Sequence, residues 1–155
     1  KPNATKSAKK WYQSFFIGDQ GTQYFIKPLQ LEGDSSEYLN LDLTFKLNKI
    51  IMDSAGMNVS FFSNNLFKNI DSLKVVNSNY AYTVLNFNYM FAERNKRQFN
   101  CRFSTKIPLE ALAKLYKQNN WTFIAYANGH AKKYVATKKT RKKIALLNQE
   151  IFELY

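Results

Sequence analysis

The chain is short of the residues that carry most enzyme and metal chemistry. Its 155 residues hold one cysteine, one histidine, five glycines and three prolines. A single cysteine excludes an internal disulfide, and one cysteine with one histidine excludes a structural zinc site. Neither GxGxxG nor GxxxxGK occurs, so no glycine-rich phosphate loop is present. A Ser–His–Asp or Cys–His arrangement would have to use His130, which follows Asn128-Gly129 and is expected at an exposed turn. Cys101 alternates in phase with Phe99 and Phe103, the place of a buried, inert thiol rather than a nucleophile. The three carboxylates of "EGDSSE" (Glu32, Asp34, Glu37) lack the spacing of a calcium loop. These absences set the expectation of a non-enzyme with no catalytic residue, metal or cofactor. No apolar run approaches the roughly 18 residues that span a bilayer, so no transmembrane span is expected.

What the sequence does hold is positive charge and aromatic rings. The net charge is +12. It is uneven: residues 19–110 carry ten basic and nine acidic side chains, while 111–155 carry nine basic and two acidic. The densest run is "HAKKYVATKKTRKKIALLNQ" (130–149), with Lys132, Lys133, Lys138, Lys139, Arg141, Lys142 and Lys143 and no acid. Cations at a helix start face the positive end of the dipole, so local helix physics does not account for them. They are either a tolerated cost or the contact with an anionic partner. Lysine outnumbers arginine, 19 to four, which suits a diffuse anionic surface better than bidentate reading of phosphates and bases.

Hydrophobic periodicity gives the fold class. In "YLNLDLTFKLN" Leu39, Leu41, Leu43, Phe45 and Leu47 alternate with Asn40, Asp42, Thr44, Lys46 and Asn48, the period of a half-buried antiparallel strand. "FNCRFSTKI" repeats the pattern with Phe99, Cys101, Phe103, Thr105 and Ile107, and Leu85, Phe87, Tyr89 and Phe91 suggest another strand. Further strands are expected over 11–17, 23–31 and 57–62, and at 73–76 as an edge. "WTFIAYANGHAKKYVAT" reads as a hairpin on an Asn128-Gly129 type I′ turn. "IPLEALAKLYKQNN" predicts a short helix beginning at Pro108, and "TRKKIALLNQEIFELY" a C-terminal helix capped by Thr140. The expectation is a mainly all-β chain: a polar lead over 1–10, then a single antiparallel β-sandwich domain over 11–155 with one short internal helix and a C-terminal helix, ahead of a barrel.

The candidate contacts are the seven basic residues of 132–143 and the aromatics that fall out of phase with the core: Tyr12, Tyr80, Tyr82, Tyr126 and Tyr134. The expected function is a binding or assembly module of the bacterial cell envelope, presenting a sheet face and a basic edge to a protein or an anionic surface. The alternatives are a glycan-binding sandwich stacking sugars on Tyr and Trp, and a nucleic-acid-associated β-domain using the basic end. The polar start "KPNATKSAKK" reads as the lead of an exported chain, or equally as a trimmed one. Asp53-Ser54-Ala55 and Asp71-Ser72-Leu73 resemble the short Asp-Ser-apolar pattern that some bacteria glycosylate on exported proteins. Together they favour the periplasm or the outer-membrane surface over the cytoplasm.

Overall fold

The structure, a computed structural model, describes residues 11–48 and 53–154. The polar lead expected over 1–10 lies outside the described residues. Among those described, the order is β1 (Tyr12–Phe16), β2 (Thr22–Glu32), β3 (Tyr38–Leu47), β4 (Ser54–Ser63), β5 (Ser72–Val76), β6 (Ala81–Val84), β7 (Asn88–Asn95), β8 (Gln98–Pro108), α1 (Leu109–Tyr116), β9 (Thr122–Ala127), β10 (His130–Ala136) and α2 (Lys138–Glu150), with 3-10 turns at Gly18–Gln20 and Phe152–Leu154.

The pairings are antiparallel, along the path β6-β5-β9-β10-β2-β3-β4-β8-β7, with β1 paired to β2 beside it. The mainly β, antiparallel chain with two helices is as expected, and the sandwich is not confirmed. The path is unbroken, so one sheet curls into a half-barrel in place of two separate stacked sheets. Two features shape the curl. On one side β10 reaches β2 through only two residue pairs, Val135↔Glu32 and Ala136↔Leu31. On the other, β6 and β7, the two ends of the path, are consecutive in the chain and joined through 85–87. Asn86 takes φ +63° at that corner, and the Thr105 hydroxyl of β8 donates to the carbonyls of Leu85 (3.1 Å) and Asn86 (3.3 Å). The curl brings inward rings of non-adjacent strands together, as with Phe61 of β4 and Tyr134 of β10, whose centroids are 5.7 Å apart.

The period-two rows point as expected. Leu39, Leu41, Leu43, Phe45 and Leu47 are at most 5% exposed, and Cys101, Phe103 and Ile107 of β8 share their core, with Phe99 packed at its margin. The wet face of the same strands is bonded internally: Arg102 donates to Ser60 Oγ (2.7 Å) and Asp42 Oδ2 (2.9 Å), and Asn58 donates to Asp42 Oδ1 (2.9 Å). In β2 the register against β3 shifts between Ile26 and Leu29, a bulge that holds Pro28, which has no N–H for the ladder.

Three local expectations are corrected. The alternation from Leu85 to Phe91 is not one strand, because the corner at Asn86 and a second register shift between Tyr89 and Phe91 break it. Leu85, Tyr89 and Phe91 are consequently exposed. The stretch 73–76 is no edge, since β5 pairs with both β6 and β9. Pro108 ends β8 and precedes α1, which starts at Leu109.

The helices close one end of the half-barrel. Leu112, Leu115 and Tyr116 of α1 meet Ile144 and Leu147 of α2 in the core. Tyr116 stacks on Phe152 (4.3 Å) and meets Trp121 edge-on (4.8 Å), and Trp121 stacks on Phe123 (5.7 Å). A helix of eight residues leaves its last carbonyls without intrahelical donors. Here Trp121 Nε1 donates to Leu115 and Gln118, both at 2.9 Å, and Asn77 Nδ2 donates to Leu115 at 2.8 Å. The tryptophan thus fills the core and ends the helix at once.

Candidate functional site

The start of α2 is the densest positive surface. Thr137, in extended geometry (φ −67°, ψ 163°), caps the helix, its side chain accepting from Thr140 N at 3.0 Å. This corrects the cap expected at Thr140. The Thr140 hydroxyl instead donates to Gln30 O of β2 at 2.8 Å, pinning the first turn to the sheet. The helix therefore begins three residues earlier, and Lys138, Lys139, Arg141 and Lys142 all lie in its first two turns. All four are exposed, and the first turn carries no acid. The ion pairs among the described residues are Arg102–Asp42, Lys114–Glu110 and Lys132–Glu37, none of which uses these four. Lys143 differs: it is half-buried with its ammonium 4.0 Å from the centre of the Trp11 ring. Burial, and next the charge of Lys139, pull its pKa down.

The expected continuous basic surface from 132 to 143 is split by the strand period. Neighbouring residues of β10 face opposite ways, so Lys132 turns inward and Lys133 outward. Lys133 stands opposite Ile124, whose other neighbour is Lys74 of β5, on the convex face. Lys132 donates to Glu37 Oε2 (2.9 Å) and Ser63 Oγ (3.3 Å). Glu37 Oε1 in turn accepts from Ser63 Oγ (3.1 Å) and Asn64 N (3.0 Å). Burial of the Glu37 carboxyl pushes its pKa up, but the bonds from Lys132, Asn64 and Ser63 outweigh this and hold it below the usual carboxylate value.

The five aromatic candidates separate. Tyr12 (8% exposed) and Tyr134 (1%) are core residues, which corrects their reading as outward rings. Tyr134 pairs across with Phe123 and shares its inward face; Ile124 and Tyr126 take the outward one. Burial raises the phenol pKa of both, with Glu150 adding at Tyr12 and Glu37 at Tyr134. Tyr80 and Tyr82 are half-buried against the core, Tyr80 with the Lys114 ammonium 5.5 Å from its centre. Only Tyr126 is an exposed ring. The larger exposed apolar surface lies on β1 and β2, where Phe15, Phe16 and Phe25 are 54%, 77% and 41% exposed and Phe15 meets Phe25 edge-on at 5.8 Å.

The end of the half-barrel away from the helices is open. Along β9 the inward residues run Phe123, Ala125, Ala127, so the wall thins toward the Asn128-Gly129 turn, where both residues take positive φ (53° and 74°) as a type I′ turn requires. Phe67, from the loop after β4, stacks on Phe103 (5.6 Å) and meets Phe61 (5.4 Å). Beneath it Cys101 is buried, and that burial raises its thiol pKa. A cleft of about 440 Å³ remains between Phe61, Phe67, Ala127 and Tyr134, with His130 and Lys132 on its rim. Sequence reasoning missed this cleft and the Lys132–Glu37 pair. The one local signal was the pair of alanines following two aromatics on a single strand face.

No protein-family model, no curated protein and no solved structure gives a match to this chain.

Proposed function

We propose that the chain is a non-catalytic binding module of the bacterial cell envelope, which presents the start of α2 to an anionic partner surface. The observation that carries this is the set Lys138, Lys139, Arg141 and Lys142: exposed, unpaired among the described residues, and held on a rigid turn by the Thr137 cap and the Thr140–Gln30 bond. Positive charge there opposes the helix dipole by about 0.3–1 kcal/mol per exposed charge. The fold gains nothing from it; a polyanion or an anionic headgroup layer does. The exposed Phe15, Phe16 and Phe25 form the sheet-face contact of the same reading. Support for the envelope comes from the two Asp-Ser-apolar triplets, of which Asp53-Ser54 is exposed at the start of β4.

The glycan reading retains one exposed candidate ring, Tyr126, where sugar stacking gains from several. The nucleic-acid reading draws on the same cations. One experiment separates them: binding of the protein to phosphatidylglycerol vesicles, heparin and single-stranded RNA at 20 and 200 mM salt. The expected result is binding to all three at low salt, steep weakening at high salt as exposed charges are screened, and no RNA sequence preference. RNA binding alone, with sequence preference, would replace this reading by the nucleic-acid one. Binding to none of the three would remove it.

A further inference from the structure

The open end of the half-barrel is a second surface, independent of α2, and its chemistry is different. Its floor is the rings of Phe61, Phe67 and Tyr134, and its wall is Ala125 and Ala127, where the alanines leave the space that larger side chains fill at the other end. We propose that this cleft binds a small apolar monocarboxylate, its apolar body against the three rings and its carboxylate on Lys132.

The size, the lining and the polar rim each point the same way. At the roughly 30 Å³ that a liquid gives each water molecule, a volume of about 440 Å³ takes on the order of fifteen non-hydrogen atoms. That is the scale of a small ligand pocket. The rings are already fixed against one another, Phe61 meeting Phe67 at 5.4 Å and Tyr134 at 5.7 Å, so a ligand meets a preformed floor.

The rim favours an acceptor. An ammonium has three donor hydrogens. Lys132 uses two, on Glu37 and Ser63, and its side chain keeps 39% exposure at the cleft. The Glu37 carboxylate behind it has both oxygens engaged, Oε2 by Lys132 and Oε1 by Ser63 and Asn64, and its side chain is 11% exposed. It anchors the ammonium and does not line this cleft. The Asn65 and Asn128 amides and the His130 ring complete the rim, so every ionisable group there is basic apart from the phenol of Tyr134, which burial keeps protonated.

The test uses naphthalene-2-carboxylate and decanoate as acids, naphthalene-2-carboxamide as the neutral counterpart of the first, and the full chain. Binding is followed by titration calorimetry and by amide NMR shifts over 125–134. The expected result is saturable binding of both acids with shifts confined to the cleft, at least about tenfold weaker binding of the carboxamide, loss of binding in Ala127→Phe, and parent-like binding when Lys138, Lys139, Arg141 and Lys142 are all Gln. Lys132→Met with Glu37→Gln, which removes the charges as a pair, is expected to bind acid and amide alike. No saturable binding at 5 mM acid, undiminished binding by a folded Ala127→Phe, or equal affinity of acid and amide in the parent overturns the proposal. Binding abolished by the α2 variant alone would assign the acids to the basic helix start and overturn it as well.

Discussion

The two ends of the half-barrel are built from opposite materials. At the helical end Tyr116, Trp121, Phe123 and Phe152 lock together at centroid distances of 4.3 to 5.7 Å, and the polar atom of Trp121 is spent on ending α1. At the other end β9, which carries Phe123, offers Ala125 and Ala127, and the polar atoms of Lys132, Glu37 and Ser63 bond to one another at the edge of a cleft. One end is closed by volume, the other is held by charge. The buried ring packing is therefore dense at the helical end, and exposed polar side chains lie at the open end and on the first two turns of α2.

The sharpest way to break this contrast is Trp121→Ala. It empties a fully buried site and strips a donor from the carbonyl of Leu115 in α1 and from that of Gln118 just beyond it. The expected loss is about 3–5 kcal/mol of unfolding free energy, read from urea denaturation. A loss below about 1 kcal/mol would show that the helical end is not where the stability lies.

A smaller effect is expected at the open end. Glu37→Gln should cost about 1–3 kcal/mol at pH 7, because it weakens charge-assisted bonds to partly buried partners. The pH dependence follows from the lowered pKa of Glu37. The charged carboxylate stabilises the fold fully above its ordinary value of about 4.3, and that contribution is lost as pH falls through the lower folded-state value. Urea midpoints of parent and variant should therefore converge as pH falls below about 4.3. Curves that stay parallel over that range would contradict the pairing with Lys132.

Tyr116 sharpens the comparison from within the packed end. Its hydroxyl is buried with no hydrogen-bond partner among the described residues, and burial raises its pKa. Tyr116→Phe keeps the stacked ring and removes the orphan group, so thermal unfolding should shift upward by the equivalent of about 1 kcal/mol. A downward shift would mean that the hydroxyl is bonded.

How much of this was legible in the sequence follows from the range of the interactions. The β3 and β8 rows and the Asn128-Gly129 hairpin were readable because period two and positive φ are local properties. The bend at Asn86 was not: Leu85, Phe87, Tyr89 and Phe91 alternate without a break, and only the pairing of 81–84 with β5 and of 88–95 with β8 divides them. The direction of Tyr134 was lost for a related reason, since cross-strand register, and not composition, places it beside Phe123. The Lys132–Glu37 bond joins residues 95 apart, and no nearby pattern announces it. The sheet order was beyond reach because β10 is tied to β2 by two residue pairs alone. The basic start of α2 was visible as a charge run, but its boundary depended on whether Thr137 or Thr140 is the cap.

The central claim is that the cations of the α2 start serve contact and not the fold. The most direct test replaces Lys138, Lys139, Arg141 and Lys142 together by Gln, then measures the melting temperature and binding to phosphatidylglycerol vesicles at low salt on the same preparation. Gln is close to Lys and Arg in helix propensity, and the lost charges opposed the dipole. The account predicts a melting temperature unchanged or raised by a few degrees, with vesicle binding reduced at least tenfold. A lowered melting temperature, or vesicle binding that survives the four substitutions, would contradict it.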